Sequence, residues 1–372
     1  MAAASLPAQM AAASLPVEMA AATLPDVRVA VVGAGVVGLA VTAELLRRQV
    51  DVTCYERADA VMSERSAGSS RIFRFAHTRP ELVRLAQRAQ AGFRCWGESA
   101  GARLVGAQEC VLSTPDLPAW ASAMAEAGAR YEIVDGPSRR LRLPAVVPPA
   151  AALVDPSGGV IDVTAVRGYL AARSTSAVVH EPVYALDDGP AAASVWSPGG
   201  AAAFDAVLLA AGAGTLPLGA QVGIYPPSTL SHHARFTFPV DGSVEWQCWI
   251  DKPADEVGTY QHQSGPGRWS VGGYVDPSQT VWEVGRDAAT DASREVLLRY
   301  ARERLVVGPR IVESLYCTHV PDLGDGFTVH RSGRVLAISG ENLFKFAPVL
   351  GEALASACVD GSTPSVDELA AS

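Results

Sequence analysis

The chain has 372 residues, 49% hydrophobic and 19% charged, with a formal net charge of −9 from 30 basic and 39 acidic side chains. That length buries a core for one to three domains and excludes disorder for the bulk of the chain. The acidic balance, with no dense Lys/Arg run, gives no footprint for nucleic-acid phosphates or an anionic bilayer, so an anionic small molecule would need a local basic pocket.

Lys252 and Lys345 are the only lysines; every other fixed positive side chain is arginine. The six cysteines are scattered without a C-x-x-C pair. A metal site or disulfide framework is therefore not expected, and a reducing cytoplasm is. The chain opens on a nine-residue unit given three times, MAAASLPAQ, MAAASLPVE and MAAATLPDV. Without a basic n-region, and interrupted by Pro7, Gln9, Pro16 and Glu18, residues 1–26 read as a low-complexity tail rather than a signal peptide or anchor.

From Val27 the pattern changes. A buried strand, residues 28–32, runs into Gly33-Ala34-Gly35-Val36-Val37-Gly38, a helical stretch follows from Leu39 to Arg48, and a second strand, residues 51–55, ends at Glu56. Gly33 permits the tight turn, Gly35 lets the backbone approach a pyrophosphate, and Gly38 lets the helix pack closely on the strand. The helix N-terminus then offers free N–H groups and its positive dipole end. Glu56 can accept hydrogen bonds from a ribose diol. Gly33, Gly35, Val36, Val37, Gly38, Glu56 and the adjacent Arg57 are thus candidate contacts for a dinucleotide, which this motif alone does not resolve into FAD or NAD.

Instead of further βα units, the chain continues with Ser63-Glu64-Arg65-Ser66-Ala67-Gly68-Ser69-Ser70-Arg71-Ile72-Phe73-Arg74-Phe75. Here it resembles the amine-oxidising flavoproteins of the D-amino-acid oxidase superfamily, in particular the monomeric sarcosine oxidase and glycine oxidase group, where a Ser-rich turn leads to an R-I-x-R pair. The resemblance implies Ser66, Ser70 and Arg71 near the flavin and Arg74 at the substrate carboxylate; strand alternation would set the two arginines on opposite sides. Gly158-Gly159-Val160-Ile161-Asp162 before a helical run at 163–172, Val183 on a segment that meets adenine, and Ala211-Gly212 within a strand and Gly-turn at 205–214 match in order. The segment Ala337 to Pro348 resembles the family's G-x-G-F-K-F signature, with Glu341-Asn342-Leu343 where glycines and a His are usual. It implies cofactor contacts from Gly340, Asn342, Phe344 and Lys345.

The implied architecture is α/β plus α+β: a Rossmann-like FAD-binding domain (27–85, 151–215, 316–365) with an inserted substrate domain (86–150, 216–315) on a mostly antiparallel sheet. The implied reaction is FAD-dependent oxidation of a glycine-like or N-substituted glycine, with O2 as acceptor. Lys345, Arg74 and Tyr260 are the candidate catalytic residues, Lys345 lying just before a helix start expected at Ala347-Pro348. Two departures from the family stand out. Leu315 falls where a flavin-linking Cys is common and Cys317 two residues on, so non-covalent FAD is expected. Ser270 falls where sarcosine oxidases carry an oxygen-activating lysine, and Lys252 sits in a turn-like D-K-P-A-D-E run that reads as solvated. Arg235, Arg268 and Arg334 are candidates for a second anionic group on the substrate, and His232, His233 and His319 for polar lining. A flavin monooxygenase and a non-catalytic flavoprotein subunit are the alternatives.

Overall fold

The computed structural model describes residues 27–226 and 229–371. The N-terminal repeat lies outside the described residues. No described helix is long and apolar enough to cross a membrane.

Two sheets organise the chain. The first has six strands in the order Phe327–Ser332, Val335–Gly340, Ala206–Leu209, Arg28–Val32, Asp51–Tyr55, Val178–Val179, parallel throughout except for the edge hairpin formed by the first two. Helices Val36–Arg47 and Leu343–Asp360 pack on one face. A three-stranded antiparallel sheet, Ala185–Asp188, Ala193–Ser197 and Gly200–Phe204, packs on the other. With both faces covered, the central strands are near-continuous apolar runs.

The second sheet has eight strands: Glu313–His319, Ser231–Pro239, Arg268–Gly273, Thr259–Gly265, Cys248–Asp251, Cys110–Ser113, Ala151–Asp155, Glu132–Asp135. It is antiparallel except where Cys248–Asp251 runs beside Cys110–Ser113. Helix Arg286–Arg304 covers one face, burying Phe236, Trp249 and Trp269. Alternation turns Trp249 into that core and its neighbours Cys248 and Ile250 toward the first.

Three expected boundaries move. Ala151–Asp155, expected in the FAD-binding unit, pairs with Cys110–Ser113 and Glu132–Asp135 in the second sheet. Strand Glu313–His319 stays in that sheet through His319, beyond the expected switch at 316. Helix Pro80–Ala100, counted with the inserted domain from residue 86, packs against Leu343–Asp360 and Val366–Ala371. Its apolar stripe (Leu82, Val83, Leu85, Ala86, Ala89, Phe93) joins the first core. The helix expected to start at Ala347-Pro348 begins at Leu343 and holds Pro348 in its interior. The proline ring sits against Gly92, where a Cβ would collide with it.

Candidate active site

A cavity of about 1380 Å³ runs between the two sheets. That exceeds the ~300–1,000 Å³ of an ordinary small-ligand pocket and leaves room for a dinucleotide and a second molecule.

One end is built from the first βα unit. Gly33 adopts φ +103° at the turn, and Gly38 lies so close to the Gly33 carbonyl that a Cβ would collide with it. Gly35 caps helix Val36–Arg47 without a side-chain hydrogen bond of its own, and the first turn carries no acid. The N–H of Val36 donates to Ser66 Oγ (3.0 Å). Glu56 is buried, its carboxylate accepting from the N–H groups of Ala34 (2.8 Å) and Ala58 (2.9 Å). Gly33, Gly35, Val36, Val37, Glu56, Arg57, Ser66, Val183, Ala211 and Gly212 all face this end. A dipole end without a competing acid, with a carboxylate held beyond it, fits a pyrophosphate flanked by ribose.

Gly38 and Ser70 do not line the cavity. Gly38 serves only helix packing, as its size requires. Ser70 is buried with Oγ 2.9 Å from His262 Nε2, while its carbonyl accepts from Arg71 and Arg235. Arg71 donates to the carbonyls of Ser70, Arg65 and Ala67, which fixes the Ser-rich turn.

The expectation that Arg71 and Arg74 face opposite sides is corrected. Strand Ser70–Phe73 ends before Arg74, so alternation no longer applies, and both line the same cavity.

At the other end five groups form one network. Arg74 Nη2 donates to Asp325 Oδ2 (2.8 Å), which also accepts from His77 Nδ1 (2.9 Å). With Nδ1 carrying the proton, His77 Nε2 is the acceptor for Lys345 Nζ at 2.5 Å. Asn342, at φ +56° just before the helix, donates to Asp325 O (3.0 Å) and Oδ1 (3.1 Å). Burial, then the charges of Lys345 and Arg74, hold His77 well below its usual pKa of 6.5. Burial and the Arg74 charge put Lys345 well below 10.5. Arg74 and His77 keep Asp325 well below the carboxylate range against its burial. Lys345 is 2% exposed and lies in the first turn of its helix.

Tyr260 also faces the cavity. Its ring lies over Gly272 on the neighbouring strand, where no side chain would fit. Its hydroxyl is 2.8 Å from His233 Nε2. Burial raises the Tyr260 phenol and pushes His233 down to about 4. Phe344 lies under the Arg71 guanidinium, 5.8 Å away. Gly340 has φ +148° and passes so close to Phe327 that a Cβ would clash.

His319 lines the cavity as expected, but His232 turns away to Tyr316 Oη (2.8 Å) and the Trp282 carbonyl (3.1 Å). Ser270 is buried between Thr237 and Ser264. Lys252, expected to be solvated, lines the cavity and is half-buried. Sequence reasoning missed His77 and Asp325 altogether. Glu341, which replaces a small residue of the family signature, is an anchor: it pairs with Arg65 and His319 and accepts from the Val320 N–H (2.7 Å).

Fold and cavity together define a dinucleotide-binding protein in which Arg74 and Lys345, carried by elements packed on the first sheet, line a cavity that runs between the two sheets. A profile of the FAD dependent oxidoreductase family (DAO) matches residues 28–357, and the chain belongs to that family. FAD is its cofactor.

Three solved structures share the fold. NikD, an unusual amino acid oxidase essential for nikkomycin biosynthesis, superposes in its open form with TM-score 0.80 at 21% identity, over 92% of this chain and 96% of that one. Glycine oxidase from Geobacillus kaustophilus gives 0.74 at 18%, over 91% and 96%. L-Proline dehydrogenase from P. horikoshii gives 0.75 at 15%, over 92% and 96%. No curated protein sequence matches the chain.

Proposed function

We propose that the protein is an FAD-dependent oxidase of a glycine-like or N-substituted glycine, with dioxygen as acceptor and peroxide as product. The observation that supports this reading is the pair Arg74 and Lys345. Two buried basic side chains line one cavity in a chain of net charge −9, and Lys345 is hydrogen-bonded to His77 rather than to an acid.

Lys345 Nζ has N–H groups left after bonding His77, and a substrate carboxylate accepts one as a charge-assisted hydrogen bond in a dry site. Asp325 fixes the Arg74 fork and, through His77, the Lys345 ammonium, so both positive groups are oriented before substrate arrives. Cleavage of the C–H bond next to nitrogen needs the nitrogen lone pair. The surplus positive charge of this wall favours the neutral amine over the ammonium and so prepares that lone pair. Tyr260, protonated and hydrogen-bonded to His233, adds a ring and one polar tip to the cavity lining. Bound FAD supplies the hydride acceptor and the route of the electron pair to dioxygen.

The flavin is held non-covalently in this reading. Leu315 offers no nucleophile, and burial raises the Cys317 thiol pKa, which disfavours the thiolate that attachment would need. Incubation with glycine, N-methylglycine, pipecolate and larger N-carboxymethyl amines, with peroxide as readout, tests the function. Peroxide from at least one amine supports it, and NADPH oxidation without amine turnover would replace it with a monooxygenase.

A further inference from the structure

Both lysines of the chain meet the same cavity, by different routes. Lys252 extends the strand Cys248–Asp251 by one residue. Its N–H donates to the Ser113 carbonyl (2.8 Å), continuing the parallel pairing with Cys110–Ser113. Strand alternation therefore carries on, and Lys252 shares a face with Ile250, which also lines the cavity.

Lys252 Nζ lies 5.0 Å from the Trp120 ring centroid and 6.0 Å from that of Tyr274, while the Arg74 guanidinium lies 5.5 Å from the same Trp120 ring. No ion pair holds Lys252 among the described residues. Asp325, the acid facing this end, has Oδ2 engaged by Arg74 and His77 and Oδ1 by Asn342. Asp251 points the other way, to Ser113 Oγ (2.7 Å) and Tyr300 Oη (2.7 Å). Burial and then the Arg74 charge lower the Lys252 pKa. A half-buried cation beside a second cation, with no acid of its own, carries a desolvation cost that an anionic ligand offsets.

We propose that Lys252, walled by Trp120 and Tyr274, is a second carboxylate subsite, and that the substrate is a dicarboxylic amino acid whose distal carboxylate it receives. This rests on the amino-acid oxidase reading and adds the substrate class. It also replaces the three arginines that sequence offered for such a group. Arg268 pairs with Glu313. Arg334 donates to the Gly189 carbonyl beside the three-stranded sheet (3.4 Å). Arg235 is buried against the Ser70 carbonyl and does not line the cavity.

The test uses flavin-loaded protein and thioether analogues that have no C–N bond to oxidise. Methylthioacetate carries one carboxylate; thiodiglycolate and 3-(carboxymethylthio)propionate carry two. Binding is read from the flavin difference spectrum. At least one dicarboxylate should bind about tenfold or more tightly than methylthioacetate, the increment of a charge-assisted hydrogen bond. That ratio should fall to about one in Lys252→Met and be partly kept in Lys252→Arg. A ratio near one in the parent protein, or one unchanged in Lys252→Met, overturns the subsite; should Lys252→Met fail to load flavin, loss of the ratio's selectivity in Lys252→Gln is required instead. If methylthioacetate perturbs the flavin and neither dicarboxylate gains, the subsite alone fails. If none of the three perturbs it, the amino-acid reading fails and the subsite with it.

Discussion

Replacing Lys345 by Met removes the ammonium while keeping an unbranched side chain of similar length. In the structure Lys345 is 2% exposed and its Nζ is 2.5 Å from His77 Nε2. Two effects follow. The His77 acceptor loses its donor, which costs stability about 1–3 kcal/mol, but the protein no longer desolvates an ammonium, so the net change in stability is small. The substrate carboxylate loses a charge-assisted hydrogen bond worth about 1.5–3 kcal/mol, which lowers kcat/KM roughly 10- to 150-fold. Anaerobic rapid mixing, with flavin reduction followed against amine concentration, separates affinity from the reduction step. The pH profile adds a second signature. Because burial and Arg74 lower the Lys345 pKa from 10.5, carboxylate affinity in the parent protein should weaken as pH rises through that lowered value, and the Met variant should lack this limb. A flavin-loaded Lys345→Met protein with unchanged affinity and reduction rate would refute the assignment.

Other outcomes follow from the same geometry. Gly38→Ala sets a Cβ against the Gly33 carbonyl and should lower Tm by several degrees and abolish flavin retention on gel filtration. Glu56→Gln weakens the carboxylate that Ala34 and Ala58 hold and should reduce FAD affinity about tenfold in a fluorescence titration of the apoprotein; unchanged affinity would remove Glu56 from the ribose. Acid precipitation should leave the yellow chromophore in the supernatant, whereas a yellow pellet would make Cys317 the linkage. His77 and His262 are buried and His233 is half-buried, all with pKa values lowered from 6.5, that of His233 to about 4. The unfolded chain binds more protons than the folded one between those values and 6.5, so stability rises with pH across that window and is lost as pH falls. Apoprotein Tm should therefore drop between pH 7 and pH 4.5, less steeply in His262→Gln, and a flat profile would contradict their neutral burial.

The first βα unit was legible in the sequence because each of its glycines has a local reason: a turn, a close approach, a helix contact. The lysine of the C-terminal signature was legible because it sits in the most family-specific segment. Other features were not. Pro348 suggests a helix start because proline favours the first turn, yet the helix begins five residues earlier at Leu343 and the ring packs against Gly92. Arg71 and Arg74 were separated by a strand rule that holds only to Phe73. His77 and Asp325 have no local signature; they matter because segments 248 residues apart in the chain meet at 2.9 Å. Lys252 did leave a signal, since it follows the apolar Ile250 by two. The D-K-P turn composition outweighed it, and the hydrogen bond from its N–H to Ser113 shows the strand running one residue further.

The central claim is that the cationic wall prepares an amino acid for oxidation by the flavin. Mixing the flavin-loaded protein anaerobically with glycine, N-methylglycine, pipecolate and N-(2-carboxyethyl)glycine, then admitting oxygen, tests it most directly. At least one amine should bleach the flavin, and reoxidation should release peroxide equimolar with the flavin reduced. A flavin that none of these amines bleaches, or that NADPH alone reduces, would contradict the account.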